Sequence, residues 1–364
     1  MVYMKKLTNI LSKALVSLSL CMGVVVTGCD ETANCYIVSQ AGTYSFPTVK
    51  GNSTESVGQV ASANVLWESF GTSTTPSVGD LIKSVSYQNG TITYTTADIF
   101  KEGNAVIAAK DANGTILWSW HIWFTDEPQG QEYYNNAGIM MDRNLGATSA
   151  TPGDVGALGL LYQWGRKDPF LGSSSIHYET MADAKSTISW PSAVSSDSST
   201  GTISYATSHP TTFITRNGSN YDWYYTGDSS TDNTRWTTSE SNKSIYDPCP
   251  AGWRVPDGGE NGVWSKALGP SSSYTNSSLY NSTNEGMNLS GKFGSASTIW
   301  YPVPGFRSYY DGRLCLVGAG YYWSASPSDY YAYCLEFYSS GLVYPLRINE
   351  RASGLSVRCL QVID

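Results

Sequence analysis

Nine of the chain's 26 tyrosines fall between Phe306 and Arg347, under an eighth of its length. The residues around them are rich in Ser, Gly and Asp, and no Lys occurs after Lys292. A phenol offers a large, stiff contact surface with one polar end, and Ser and Gly supply adaptable fit. A core would use Leu, Ile and Val instead, because every buried hydroxyl needs a hydrogen-bond partner. The chemistry open to this stretch is therefore non-covalent capture of a partner, with no turnover. Tyr309, Tyr310, Tyr330, Tyr331, Tyr333, Tyr338 and Tyr344 are the candidate anchors. Arg347 joins them, because aromatics and Arg dominate binding hot spots.

Little else is arranged for catalysis, and no enzyme activity is expected. His121, His177 and His209 stand far apart, without Cys or acid at metal-ligand spacing, so no metal site is expected. His121 reads as a packed residue of a strand. No nucleophile elbow, P-loop or dinucleotide fingerprint occurs. A structural calcium at the Asp-rich run Asp228 to Asp232 is the one cofactor idea, and it has no further support. The net charge of −8, with no basic patch, argues against nucleic acid.

The phenols need a scaffold. With 364 residues, 41% hydrophobic and 14% charged, the chain can build two ordinary domains. Long helical periods are scarce, so strands and loops should dominate a mainly β or α+β chain. Lys5, Lys6 and Lys13 flank an apolar run, Ala14 to Val26, too short to span a bilayer. It ends in Val26-Thr27-Gly28-Cys29, which resembles a bacterial lipobox. That implies a signal peptide over residues 1–28, lipidation of Cys29 and a membrane partner through acyl chains. Asp30 and Glu31 resemble the early acidic residues of surface-exported lipoproteins, so the expected location is the outer membrane, on the cell surface.

Residues 29–125 read as an Ig-like β-sandwich. Asn89-Gly90 signals a two-residue hairpin and Asp111–Gly114 a second turn. Ile116, Trp118, Trp120, Ile122 and Phe124 alternate, which places the tryptophan run Trp118 to Trp123 in the sandwich core. Asp126 to Gly130 reads as a boundary, with Asp126-Glu127 solvated. In the second domain, 126–364, Gly159 to Phe170 is open between strand and short helix. Leu171 to Asp247 reads as long, partly mobile loops, and Gly259 to Leu268 as a short helix stopped by Gly269.

Six segments of this second domain carry a resemblance: Met141-Asp142-Arg143-Asn144-Leu145, Leu161 to Trp164 (LYQW), Cys249 to Pro256 (CPAGWRVP), Pro304 to Arg307 (PGFR), Tyr322 to Ser326 (YWSAS) and Gly354 to Cys359 (GLSVRC). In this order they resemble the formylglycine-generating-enzyme type of C-type lectin fold, and more narrowly the "major paralogous domain" of bacterial surface lipoproteins. The first domain resembles the fimbrillin-associated modules that precede it. The tail, about 305–359, resembles the variable region of a diversity-generating retroelement target. There, randomised Asn codons reach Tyr, Ser, Asp, Gly, Arg and others, but not Lys, Met, Gln, Glu or Trp. No Lys, Met or Gln lies between Phe306 and Val357. The resemblance thus adds Ser308, Tyr321, Asp329 and Asn349 to the ligand-binding set and makes Trp323, Glu336 and Glu350 framework. It also implies a Cys249–Cys359 disulfide. Cys315 and Cys334 are either chance products of diversification or a second disulfide between neighbouring strands, and the pairing of Cys35 stays open.

The resemblance implies a lipid-anchored receptor or adhesin in which an Ig-like stalk lifts a lectin-like head. The calcium-dependent sugar motifs Glu-Pro-Asn and Gln-Pro-Asp are absent, so a protein ligand is expected rather than a sugar. Two alternatives are a minor or tip subunit of a surface fimbria and, remotely, an oxidase using Cys315 and Cys334 as its thiol pair.

Overall fold

The computed structural model describes residues 26–28, 31–218, 221–227, 232–237, 242–269, 273–315 and 318–363. Cys29, residues 1–25 and Asp228 lie outside them. The chain is mainly β, with 38% strand and 7% helix. Among the described residues the two α-helices, Ile203–Ser208 and Val263–Leu268, have six residues each, so helices are not a layer of the architecture there. Among the described residues no helix is long and apolar enough to cross a membrane.

The first half is a two-sheet sandwich. Its strands are β1 (Val26–Gly28), β2 (Cys35–Val38), β3 (Thr43–Pro47), β4 (Ser62–Ser69), β5 (Ile82–Gln88), β6 (Thr91–Thr96), β7 (Gly103–Lys110) and β8 (Ile116–Phe124). One sheet runs β1-β3-β6-β5 and the other β2-β8-β7-β4. Gln88 pairs with Thr91 across Asn89 and Gly90, at φ +49° and +82°. That left-handed pair is what a tight hairpin of right-twisted strands requires. At the second turn the Asp111 carboxylate accepts from the N–H groups of Asn113 and Thr115.

Strand β8 is buried on both faces from Trp118 onward. Trp118, Trp120, Ile122 and Phe124 enter the core between the sheets, with Phe46, Tyr94 and Ile107. Ser119, His121 and Trp123 point the other way, because side chains alternate along a strand. Ser119 and Trp123 meet the second half of the chain, while His121 bonds Asn104 of β7. Trp123 shares a core with Cys35, Trp67, Met141, Leu145, Leu160 and Trp164, and its indole N–H donates to the Ala147 carbonyl at 2.9 Å. The tryptophan run is therefore divided between two cores. The first half is also not a detached stalk, since one apolar core runs across the boundary.

Polar groups tie the same junction. Asn104 donates to the Gly146 carbonyl at 2.9 Å and bonds His121 Nε2 at 2.8 Å. Buried Lys167 donates to Ser119 Oγ at 2.6 Å and to Asp168 at 2.7 Å. Asp126 and Glu127 are exposed, as expected, and the Asp126 carboxylate also receives the buried Arg143 guanidinium, which holds Asp142 at 2.9 Å. That hydrogen bonding holds the Asp126 carboxyl below the usual carboxylate range.

In the second half, Gly159 to Phe170 resolves to a short strand, Leu161–Gln163, paired with Gly354–Ser356. The described residues of 171–247 have little regular structure, as expected, yet some of them are deeply buried. Trp223 and Trp236 are 0% exposed, and Asp222 and Arg235 form a buried ion pair. The last helix occupies Val263–Leu268, and Gly269 ends it at φ +83°.

Burial pushes the His121 imidazole down to about 3 from its ordinary 6.5. The folded ring is neutral, so the unfolded chain binds the extra proton as pH falls. Stability is complete above about pH 6.5 and declines below it, with a slope approaching about 1.4 kcal/mol per pH unit. Denaturant unfolding between about pH 8 and about pH 5 should show this loss, and His121→Gln should flatten that part of the profile.

Candidate ligand-binding surface

The Tyr-rich tail builds most of an eight-stranded sheet. Its main path runs Tyr274–Thr275, Leu342–Glu350, Tyr331–Tyr338, Ala319–Ser328, Gly354–Ser356, Phe306–Arg307, Leu314–Cys315. Each of the twelve predicted ligand-binding residues keeps solvent exposure, whereas Tyr301 and Tyr322 are fully buried. The twelve do not form one continuous patch, however. Alternation along Tyr331–Tyr338 puts Glu336 and Tyr338 on one face and Tyr331 and Tyr333 on the other.

The first group centres on Glu336, which pairs with Tyr321 on one side and Tyr344 on the other. Its carboxylate accepts from the Tyr338 hydroxyl and from Arg347 Nε, the latter at 3.0 Å. The Arg347 guanidinium lies 5.3 Å from the Tyr344 ring, and Tyr338 meets Tyr344 edge-on at 6.1 Å. Phe306 meets Tyr321 edge-on at 5.1 Å. Burial pushes the Glu336 carboxyl up, with Arg347 opposing it. Burial, and then the Glu336 charge, push the Tyr321 phenol up to about 12, so it stays a neutral donor at physiological pH.

The second group comprises Tyr309, Tyr310 and Tyr331, and it includes two residues that the sequence did not flag. Tyr221 stacks on Tyr331 at 5.3 Å and meets Tyr309 edge-on at 6.0 Å, while Arg216 lies against Tyr221, Tyr309 and Tyr310. Both come from the irregular 171–247 region, where no periodicity marks them.

The remaining positions are dispersed. Asp329, at φ +50°, and Tyr330, 41% exposed, form the tip of the hairpin between Ser328 and Tyr331. Tyr333 lies over Gly259, where an added Cβ would meet its ring at 3.4 Å. Asn349 pairs opposite Ala332. The Ser308 hydroxyl accepts from the Tyr310 N–H at 3.2 Å and so braces its own loop. Beside this loop lies a cleft of about 240 Å³, marked by no sequence signal, lined by Phe170, Trp190, Phe213, Arg307 and Arg313.

Beneath the tyrosines the motif residues make the frame. Trp323 donates to the Tyr162 carbonyl at 2.8 Å and Trp164 to the Ser324 carbonyl at 2.9 Å. Asn144 accepts from Arg358, whose guanidinium lies 3.8 Å from the Tyr301 ring. Arg351, 0% exposed, donates to the carbonyls of Asp329, Tyr331 and Asp232 and lies 3.5 Å from Asp222. Burial, and then neighbouring Arg235, pull the Arg351 guanidinium down to about 10. It is still a cation at neutral pH, and it pins the hairpin tip by its backbone, leaving side chains there free to vary.

Cys249 and Cys359 form a disulfide with Cα atoms 6.1 Å apart, while Cys35, Cys315 and Cys334 are free thiols. Three strands separate Cys315 from Cys334 in the sheet order, roughly 19 Å at the usual strand spacing. The second disulfide is thus not formed, and these two thiols are not a close pair. Among the described residues no group of three or more His, Cys, Asp or Glu could hold a metal ion. Of the Asp228 to Asp232 run, Asp232 uses its carboxylate on the N–H and hydroxyl of Thr234.

Comparison with family models, with curated proteins and with solved structures finds no match to this chain.

Two stability outcomes follow from the frame. Arg351→Ala leaves Asp222 and three carbonyls short of a donor and should cost about 3 to 5 kcal/mol, against about 0.5 kcal/mol or less for Tyr330→Ala, read by denaturant unfolding. The disulfide spans a sequence separation of 110. Replacing Cys249 and Cys359 together by Ser should cost about 2 to 5 kcal/mol, and reductant should lower the wild type to the same level.

Proposed function

We propose that this protein is a lipid-anchored surface receptor or adhesin, held in the outer membrane through Cys29. Its C-terminal half is a C-type lectin-like head whose tyrosines capture a protein ligand without turnover. The observation that carries the reading is the partition of the tail's aromatic residues. Tyr322, Trp323 and Phe337 are sealed in the core, while Tyr309, Tyr310, Tyr321, Tyr330, Tyr331, Tyr333, Tyr338 and Tyr344 keep exposed surface. A tail built for packing alone would have little reason to leave eight phenols at the solvent boundary. The same partition suits retroelement diversification, because the frame engages the hairpin tip through backbone carbonyls and tolerates change in its side chains.

The reading is tested by changing Tyr309, Tyr330 and Tyr344 together to Ala. The variant should remain folded, with a stability loss of about 2 kcal/mol or less, and should lose binding to the cells or purified surface proteins that wild type binds. Melting of the fold would show these rings to be core, and full retention of binding would sink the capture reading. Cys29→Ala should abolish incorporation of labelled palmitate and release the protein from the membrane fraction.

A further inference from the structure

We propose that Arg216 is a fixed anchor of the tyrosine surface and takes the carboxylate of an Asp or Glu side chain on a protein partner. This rests on the capture reading above. Arg216 follows the short strand Ile214–Thr215, and its N–H donates to the Tyr309 carbonyl at 2.9 Å. Its guanidinium carbon lies 5.1 Å from the Tyr221 ring centroid, 5.2 Å from Tyr309 and 5.7 Å from Tyr310. Tyr310 is 70% exposed, so the cage opens to solvent.

The other arginines are occupied differently. Arg143, Arg235, Arg254, Arg307, Arg313, Arg347 and Arg351 each pair with an Asp or Glu. Arg166 and Arg358 are buried and donate to neutral acceptors. Arg216 is half-buried, and among the described residues no carboxylate pairs with it. Attraction to aromatic rings does not use up a guanidinium's N–H donors, and their fork matches a carboxylate. The rings also restrict its rotamers before binding, which lowers the entropy lost on capture. Flanking phenols suit a partner surface of mixed polarity, as protein epitopes are. Arg216 lies outside the proposed variable stretch, so it would supply a constant acidic preference beneath changing tyrosines.

The test uses the full chain labelled with ¹⁵N-arginine. N-acetyl-glutamate amide, glucuronate and inorganic phosphate are titrated separately while the Nε–H signals of Arg216 and Arg313 are followed. Arg313 is the reference, since its side chain is 85% exposed. The glutamate probe should shift Arg216 saturably, at about threefold lower concentration than Arg313, and Tyr310→Ala should erase that preference. Equal response of the two arginines, or stronger binding of glucuronate or phosphate, overturns the assignment. Arg216→Lys should also weaken binding to the partner lost by the triple tyrosine variant by about tenfold. Loss within about twofold would overturn this inference and leave capture by the tyrosines standing, whereas full binding by the triple variant would remove the reading beneath it.

Discussion

Arg351 carries its charge with no exposed surface and spends its donors on backbone carbonyls of the hairpin tip and of the loop that passes beneath it. The rest of the second half is organised around that burial. Its guanidinium lies 4.3 Å from the Trp164 ring, Arg235 lies 4.8 Å from the same ring, and Asp222 pairs with both cations. A lone buried charge would be prohibitive, but here it is matched by a carboxylate, several carbonyls and aromatic faces. The arrangement draws on the irregular 171–247 region, because Asp222 and Arg235 both come from it.

Anchoring through the backbone has a consequence for the surface. Contacts made by carbonyls do not depend on which side chain follows, so positions such as Asp329 and Tyr331 are held in place without being specified. Contacts made by indoles and guanidinia do depend on side chains, and these are the motif residues Trp164, Trp323 and Arg358 together with Arg351. Glu336 is intermediate between the two classes. It is 4% exposed, yet it orients Tyr338 and Arg347 and thereby sets the geometry of the first tyrosine group.

The junction between the halves follows the same logic on a larger scale. From Trp118 onward β8 has no solvent face, so its polar residues need partners: His121 finds Asn104 on the neighbouring strand β7, and Ser119 finds Lys167 and Asp168 across the junction. With Trp67, Trp123 and Trp164 in one apolar cluster, separating the halves would expose indole surface as well as a buried ion pair. The proposed head would therefore stay packed against the first half, at whose start the proposed anchor Cys29 lies.

Local signals were readable in the chain itself. Alternation in Ile116–Phe124, the left-handed pair Asn89-Gly90 and the stop at Gly269 each depend on neighbours a few residues away, so the strand-dominated fold and its turns could be read directly. The tyrosine-rich composition singled out the tail, but not which of its rings the core takes, such as Tyr322, and which keep exposure, such as Tyr310. Non-local facts were out of reach. The second buried face of β8, the burial of Asp222 and Arg235, the separation of Cys315 from Cys334 and the division of the tyrosines between two faces all depend on which distant segments meet. A strand's period tells which residues share a face; only the packed structure decides what covers that face, because burial is a property of the assembled neighbours and not of the residue.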